Sequence, residues 1–135
     1  MPAKTKLKEN VAGLICYAGF WVTGIIFLVI EKKNKTVRFH AMQSLVVFGI
    51  LNIIWGAANS VRAGVSVFAG GYLLASAYFL AATIVFGIFF TIWWVLWGVL
   101  MYRAYHNRVW KVPAGLGNLA EILLAKLDSI KIVEK

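Results

Sequence analysis

Three long stretches without a charged residue constrain this chain most. Residues 10–30, 39–61 and 63–102 contain no Asp, Glu, Lys or Arg over 21, 23 and 40 residues respectively. Each stretch is long enough to cross a bilayer core, which takes about 20 residues of helix. The chain is 61% hydrophobic and 14% charged, with a mean hydropathy of +0.80, whereas soluble domains have roughly 45–50% apolar and about 25% charged residues. The sequence therefore predicts an integral membrane protein.

The predicted fold is all-α, with three transmembrane helices in one membrane domain that covers residues 1–135. We expect the spans at about 11–30, 39–60 and 72–102. The first is interpreted as a retained span, because its apolar run exceeds the roughly 7–15 residues of a signal-peptide core. Residues 63–69 are expected to form a short helical turn or an interfacial loop before the paired glycines Gly70 and Gly71. The alternative is four spans, in which the 40-residue stretch at 63–102 is divided into two spans of about 20 residues each.

Basic residues predict the orientation, because short loops rich in Lys and Arg stay in the cytoplasm. The loop at 31–38 and the segment after the third span carry most of them, at Lys32, Lys33, Lys35, Arg38, Arg103, Arg108 and Lys111. With three spans, this loop and the C-terminus are cytoplasmic and the N-terminus is outside, in a multi-pass protein of the cell membrane. Lys4, Lys6 and Lys8 count against this assignment, because they would have to cross.

The net charge of +9 indicates an anionic lipid surface as a partner. Because the basic residues border apolar spans and do not cover one soluble face, we do not expect nucleic acid. Lys32, Lys33, Lys35, Arg103, Arg108 and Lys111 are the candidate lipid contacts.

The C-terminal segment predicts an amphipathic helix at about 118–130. Asn118 can cap its start, with Glu121 three residues later. Apolar residues recur at helical spacing on one face, at Leu119, Ile122, Leu123, Leu127 and Ile130. We expect this helix to lie in the membrane interface or to dock on the cytoplasmic ends of the spans.

The second span carries one polar face. His40, Ser44, Asn52 and Asn59 fall within about a third of the helix circumference at 100° per residue. Polar groups in hydrocarbon need partners or water, so this face should contact other helices or line a polar cavity. Arg38 and Gln43 stand with His40 at the start of the span, where they either contact a partner or hold the end of the helix. The sequence leaves both pairs of alternatives open.

Catalytic and metal-binding chemistry lacks the residues it needs. The predicted spans contain no carboxylate, and neither His40 nor His106 has an acid or cysteine at ligand spacing. Cys16 is the only cysteine, so one chain forms no internal disulfide. We therefore expect a non-enzymatic protein without a metal ion or other cofactor.

Two segments of the chain resemble a known family. Residues 11–48 include Arg38, Phe39, Met42 and Gln43, which match an Arg-Phe-x-x-Met-Gln signature, and residues 101–123 include Val112-Pro113 and Ala120-Glu121. They resemble a small prokaryotic membrane-protein family of unknown function, which includes magnetosome membrane proteins. That family is related to the twenty-kilodalton component of the chloroplast inner-envelope import translocon (Tic-twenty-like). The resemblance implies a helical membrane protein and, by kinship alone, a role related to protein import.

Two functions are compatible with this sequence. The first is assembly, scaffolding or translocation-type work, in which the chain forms a homo-oligomer or binds other membrane proteins. The alternative is a small channel or transporter that uses the polar face of the second span. Arg38, His40, Gln43, Ser44, Asn52 and Asn59 are the candidate partner or pathway residues.

Overall fold

The computed structural model describes residues 7–68, 72–106, 109–113 and 115–133. Within this part of the chain all regular structure is helical, which confirms the all-α prediction. Five helices follow one another: α1 (Glu9–Ala18), α2 (Phe20–Ile30), α3 (Lys35–Phe68), α4 (Tyr72–Tyr105) and α5 (Leu116–Val133). Contacts divide the chain into two compact units, the first made of residues 1–49 and 97–135 and the second of residues 50–96.

The predicted first span is two helices and not one. α1 and α2 have 10 and 11 residues, and the chain breaks between them at Gly19. Phe20, the first residue of α2, has φ 55°, a left-handed conformation that is uncommon for a residue other than glycine. At 1.5 Å per residue each helix is about 15–17 Å long, roughly half of a 30 Å bilayer core. Neither helix alone can cross.

α1 and α2 form a hairpin, which we call the N-terminal hairpin. At its tip, the carbonyl of Phe20 accepts a hydrogen bond from Ser44 of α3. Away from the tip, Gly24 of α2 lies against the backbone of Ala41, and Tyr17 of α1 hydrogen-bonds His40. Both limbs therefore run from the tip back toward the beginning of α3.

The middle of α1 also lies near the end of α4. A Cβ atom added to Gly13 would be 3.6 Å from the Cβ of Ala104 and 3.3 Å from His40 Cδ2. The N-terminal hairpin thus starts and finishes at the end of the first unit where α3 begins and α4 ends. Its tip lies away from this end, beside Ser44 of α3 and Trp97 of α4.

Among the described residues, two helices are long and apolar enough to cross a membrane. The qualifying segments are Lys35–Gly64 of α3 and Ala77–Tyr105 of α4. They contain the predicted second span and most of the predicted third span, which starts five residues earlier. Residues 63–68, for which a short helical turn or an interfacial loop was expected, continue α3 as helix. Gly70 and Gly71, the predicted break, lie outside the described residues.

In the second unit, aromatic residues of α3 and α4 pack together. The ring centroids of Trp55 and Phe86 are 4.9 Å apart at a near-perpendicular angle, and Trp55 stacks on Phe89 at 5.8 Å. The Arg62 guanidinium lies 5.7 Å from the centroid of the Phe86 ring. Large apolar side chains such as Ile53, Leu80 and Ile88 remain exposed, as expected for surfaces that face lipid or another membrane protein.

α5 docks through a different face from the one predicted. Gly117 and Ala120 are buried, and Asp128 pairs with Arg38 at the start of α3. Most of the face predicted from the sequence is instead exposed, at Leu119, Ile122, Leu123 and Ile130. α5 therefore has two apolar faces, of which one packs on the first unit.

The close contact between α2 and α3 gives a test of the N-terminal hairpin. A Cβ at Gly24 would lie 2.6 Å from the carbonyl oxygen of Ala41, and backbone cannot move aside as a side chain can. We expect Gly24→Ala to lower the free energy of unfolding in detergent by about 1–3 kcal/mol, the usual cost of overpacking.

Gly49→Ala in α3 is the matched control, because no atom lies within 4 Å of an added Cβ there. It should be neutral or stabilising by up to about 1 kcal/mol, since alanine favours helix over glycine. Equal destabilisation by the two substitutions would contradict the close packing of α2 on α3.

Candidate functional site

The tip of the N-terminal hairpin exposes backbone groups that no helix satisfies. A helix end leaves its last carbonyls without intrahelical partners, and here the end lies inside an apolar segment. Thr23 provides the local closure: its hydroxyl donates to the carbonyl of Cys16 at 2.9 Å and accepts from the amide of Gly19 at 3.1 Å. One side chain therefore ties the end of α1 to the first turn of α2.

Neighbouring helices complete the closure of the tip. Ser44 Oγ of α3 donates to the Phe20 carbonyl at 2.6 Å, and Trp97 Nε1 of α4 donates to the Tyr17 carbonyl at 2.9 Å. The Phe20 ring packs edge-on against Phe48, with centroids 5.2 Å apart. Irregular backbone at membrane depth is tolerated where it is buried in protein, and these contacts provide that burial.

His40 of α3 lies buried against the N-terminal hairpin. Its Nδ1 is 3.1 Å from the hydroxyl of Tyr17, which is fully buried, and the two rings meet at 72°. Which of the two groups donates depends on the tautomer of the imidazole. His40 Nε2 is also buried and has no hydrogen-bond partner among the described residues.

Arg38 and Gln43 connect the start of α3 to the C-terminal segment. The buried Arg38 guanidinium pairs with Asp128 of α5, and Gln43 Nε2 donates to the Trp110 carbonyl at 3.1 Å. A cavity of about 400 Å³ lies between α3 and α5 and is lined by residues that include Lys35, Arg38, Glu121 and Asp128. Arg38 and Gln43 therefore hold the end of this unit together.

Asn52 and Asn59 lie on a later part of α3 than Arg38, His40, Gln43 and Ser44. Both belong to the second unit, whereas His40 and Ser44 belong to the first. Asn59 Nδ2 donates to the Trp55 carbonyl of its own helix at 2.9 Å. Asn52 is exposed and lines a cavity of about 280 Å³ with aromatic residues of the same unit.

Four of the six predicted lipid contacts are exposed. Lys32, Lys33 and Lys35 flank the start of α3, and Lys111 forms an exposed ion pair with Glu121 at 2.8 Å. Arg103 is only partly exposed, with its guanidinium 4.8 Å from the centroid of the Trp110 ring. Arg108 lies outside the described residues.

Several residues of the cluster have no signal in the sequence. Tyr17, Thr23 and Trp97 lie in apolar runs where aromatic and hydroxyl residues are common, and no proline marks the break at Gly19. Asp128 had a clearer signal, because it is the only aspartate of the chain. In the described part of the chain no group of three His, Cys, Asp or Glu residues could hold a metal ion. Helices of the first unit are joined to one another by the bonds of Thr23, Ser44, Trp97, His40 and Arg38, and to the segment after α4 by the bond of Gln43.

Ser44 offers a test of the closed tip. Ser44→Ala removes the hydroxyl that reaches the buried Phe20 carbonyl and leaves that carbonyl without its partner from α3. We expect the free energy of unfolding in detergent to fall by about 0.5–1.5 kcal/mol, the net contribution of one hydrogen bond, because the Phe20 carbonyl also accepts from Thr23 Oγ1 at 3.3 Å. Ser60→Ala is the control, because Ser60 is exposed and bonds only the Gly56 carbonyl of its own helix. A loss no larger than that of Ser60→Ala would contradict the role of Ser44.

The two ion pairs of α5 give a second comparison. Asp128→Asn leaves the buried Arg38 without its carboxylate, whereas Glu121→Gln breaks a pair in which both side chains are about half exposed. We expect a loss of about 1–3 kcal/mol for Asp128→Asn, below the ~3–5 kcal/mol of a fully buried pair because Asp128 is partly exposed. Glu121→Gln should cost about 0–1 kcal/mol. Equal losses in thermal unfolding would show that burial of Arg38 does not strengthen the docking of α5.

Comparison with known proteins places the chain among archaeal membrane proteins. It is 35% identical over 118 residues to a UPF0132 membrane protein of Methanocaldococcus jannaschii, in a match that covers 85% of this chain and 87% of that protein. A second protein of that organism with the same family name is 32% identical over 115 residues, covering 85% of this chain and 69% of the relative. A UPF0132 membrane protein of Archaeoglobus fulgidus is 34% identical over 118 residues, covering 85% and 94%.

No family model matches the sequence, and no solved structure matches it. The three relatives nevertheless align with most of this chain and over two thirds or more of their own lengths. They share a name that describes membrane proteins, in agreement with the two apolar helices that can cross a bilayer. The chain belongs to the UPF0132 membrane protein family.

Proposed function

We propose that this chain is a non-enzymatic integral membrane protein that works in membrane-protein assembly, scaffolding or translocation-type complexes. It does so by associating through its membrane helices with a second copy or with other membrane proteins. The observation that carries this proposal is Asn52, an exposed amide side chain near the middle of an uncharged helical segment.

Asn52 lacks a partner where one is needed. It lies near the centre of residues 39–61, is exposed, and makes no side-chain hydrogen bond within the described part of the chain. An unsatisfied amide in hydrocarbon costs free energy. A partner chain can satisfy it, and an amide offers both a donor and an acceptor. Two copies related by a two-fold axis can therefore pair Asn52 with Asn52.

An aromatic cavity beside Asn52 supports an interface at this place. It has a volume of about 280 Å³, and its other lining residues are Trp55, Phe89, Phe90, Trp93 and Trp94. Aromatic side chains are enriched where proteins bind one another, because their rings bury a large area at a low cost in conformational entropy. A small apolar side chain of a partner helix fits a cavity of this size and lining.

The alternative of a channel or transporter has less support. A pathway along α3 needs polar groups that face water, but His40 and Ser44 are buried against Tyr17 and Phe20. Asn59 is partly occupied by its own helix. These bonds favour the interpretation that the polar face joins helices.

We also propose a relation to Tic-twenty-like proteins, which rests on the resemblance of the sequence. Its signature residues Arg38, Phe39, Met42 and Gln43 are all buried. Arg38 and Gln43 bind Asp128 and the Trp110 carbonyl. The signature therefore supports a shared internal architecture, and a translocation role depends on kinship.

Partners other than protein follow from the charge distribution. Lys32, Lys33 and Lys35 are exposed beside the start of α3, where they can reach anionic lipid phosphates worth about 1 kcal/mol per basic residue. Nucleic acid is not part of the proposal, because these residues border membrane helices.

We also propose a topology that differs from the sequence prediction at the N-terminus. Two helices, α3 and α4, cross the membrane, and the N-terminal hairpin enters and leaves on the side where α3 begins. The loop at 31–38 and the C-terminus remain cytoplasmic, as the basic residues indicate. Lys8, at the start of α1, then lies on that same side and does not have to cross.

Labelling of single cysteines tests this topology. In a Cys16→Ala background, we expect Lys8→Cys and Lys33→Cys to resist a membrane-impermeant maleimide in intact cells and to react after permeabilisation. Arg62→Cys, near the other end of α3, should react before permeabilisation. Opposite behaviour of Lys8→Cys and Lys33→Cys would mean that α1 and α2 together cross the membrane.

Substitution of Asn52 tests association. We expect Asn52→Leu to lower the oligomeric fraction, measured by chemical crosslinking in native membranes and by energy transfer between labelled copies in liposomes. Interhelical polar contacts are worth about 0.6 kcal/mol on average, so removal of one such bond should weaken association about threefold. Asn59→Leu is the matched control and should leave association unchanged, because Asn59 bonds its own helix. A wild-type chain that stays monomeric and captures no other membrane protein would overturn the proposed function.

A further inference from the structure

The second apolar face of α5 carries an inference of its own, independent of Asn52. This face, which we call the outer stripe, consists of Leu119, Ile122, Leu123 and Ile130. Their exposed fractions run from 38% at Leu119 to 63% at Ile122. At 100° per residue the four residues fall within one third of the helix circumference. The docked face, around Gly117 and Ala120, lies on a different side of the helix.

The remaining side of α5 is polar. Asn118, Glu121 and Ser129 are exposed there, between the docked face and the edge of the outer stripe at Ile122. α5 therefore has three surfaces: one packed on the first unit, one polar, and one apolar and uncovered. A helix that only docked on the protein would need one apolar face, so the outer stripe calls for a second apolar environment.

The position of α5 identifies that environment. Its contacts are with the polar end of the first unit, through Arg38 at the start of α3 and through Lys111 and Val112 after α4. This end carries two exposed aromatic residues near the end of α4, Tyr102 and Tyr105. Such rings are typical of the headgroup level of a bilayer. α5 thus lies where headgroups meet acyl chains.

Charge favours an anionic lipid surface. Lys126 is exposed and projects from the middle of the outer stripe, so its ammonium can reach headgroups while its alkyl chain lies along the apolar surface. The exposed Lys32, Lys33 and Lys35 belong to the same unit, beside the start of α3.

A protein partner fits the outer stripe less well. Four partly exposed side chains offer far less than the ~800 Å² per partner that a standard protein interface buries. We propose that α5 is a membrane-surface helix whose outer stripe inserts into the interface of an anionic bilayer, while its opposite face holds the ends of α3 and α4.

Spin labels on the full-length chain test this proposal. Single cysteines replace Leu119, Leu123, Asn118 and Glu121, one at a time, in a Cys16→Ala background, and the labelled protein is reconstituted in nanodiscs that contain phosphatidylglycerol. Accessibility to oxygen, which partitions into lipid, is compared with accessibility to a water-soluble nickel complex. We expect a several-fold higher oxygen-to-nickel ratio at 119 and 123 than at the polar positions 118 and 121.

Two results would overturn the proposal. Equal nickel accessibility at 119 and 121 would mean that the outer stripe faces water, and protection of 119 from both reagents would mean that protein covers it. Nanodiscs of neutral phosphatidylcholine measure the part played by charge. The label at 119 should be less deeply immersed there, and an unchanged depth would remove Lys126 and the anionic lipid from the proposal. None of these outcomes depends on whether Asn52 joins two copies.

Discussion

The first unit depends on the hydrogen bonds that side chains of three helices donate to backbone carbonyls at the tip of the N-terminal hairpin. Breaking a helix inside an apolar segment leaves acceptors that cost several kcal/mol each in lipid. Thr23, Ser44 and Trp97 supply three donors from three helices. Each of these bonds requires its helix to be in register with the break. The interruption at Gly19 thereby aligns α2, α3 and α4. The ring of Phe20, whose backbone is left-handed, packs against Phe48 of α3 and Trp97 of α4.

The way α3 uses its polar residues follows from this alignment. Its first turns carry Arg38, His40, Gln43 and Ser44, all buried, and each bonds a different element of the first unit. A polar side chain that closes one helix against another is no longer available to bind a transported solute. Groups suited to external contacts are therefore found on the outside: Asn52 in the second unit and the outer stripe of α5 in the first. We therefore propose association and lipid binding, and not solute transport, as the activities of this arrangement.

Sequence patterns predicted those features that depend on composition. The length of the uncharged stretches indicated α3 and α4, and the helical spacing of His40 and Ser44 indicated that they share a face. The break at Gly19 could not be predicted, because much of its stability comes from Ser44 and Trp97, which are distant in the sequence, and no proline marks it. The docked face of α5 was missed for a related reason. Gly117 and Ala120 pack because they are small, whereas the periodic Leu and Ile residues that dominate the pattern remain outside.

The N-terminal hairpin also removes a conflict that no arrangement of three full spans could avoid. Lys8 precedes α1, and under three spans it lies opposite the basic loop at 31–38, against the tendency of Lys and Arg to stay on one side. A hairpin of two half-length helices returns the chain to the side from which it came. In the topology that we propose, Lys8, the loop and the basic segment after α4 share one membrane surface, next to α5. Two independent effects therefore favour the same path of the chain. One is the preference of Lys and Arg for one side of the membrane, and the other is the hydrogen bonding at the break at Gly19.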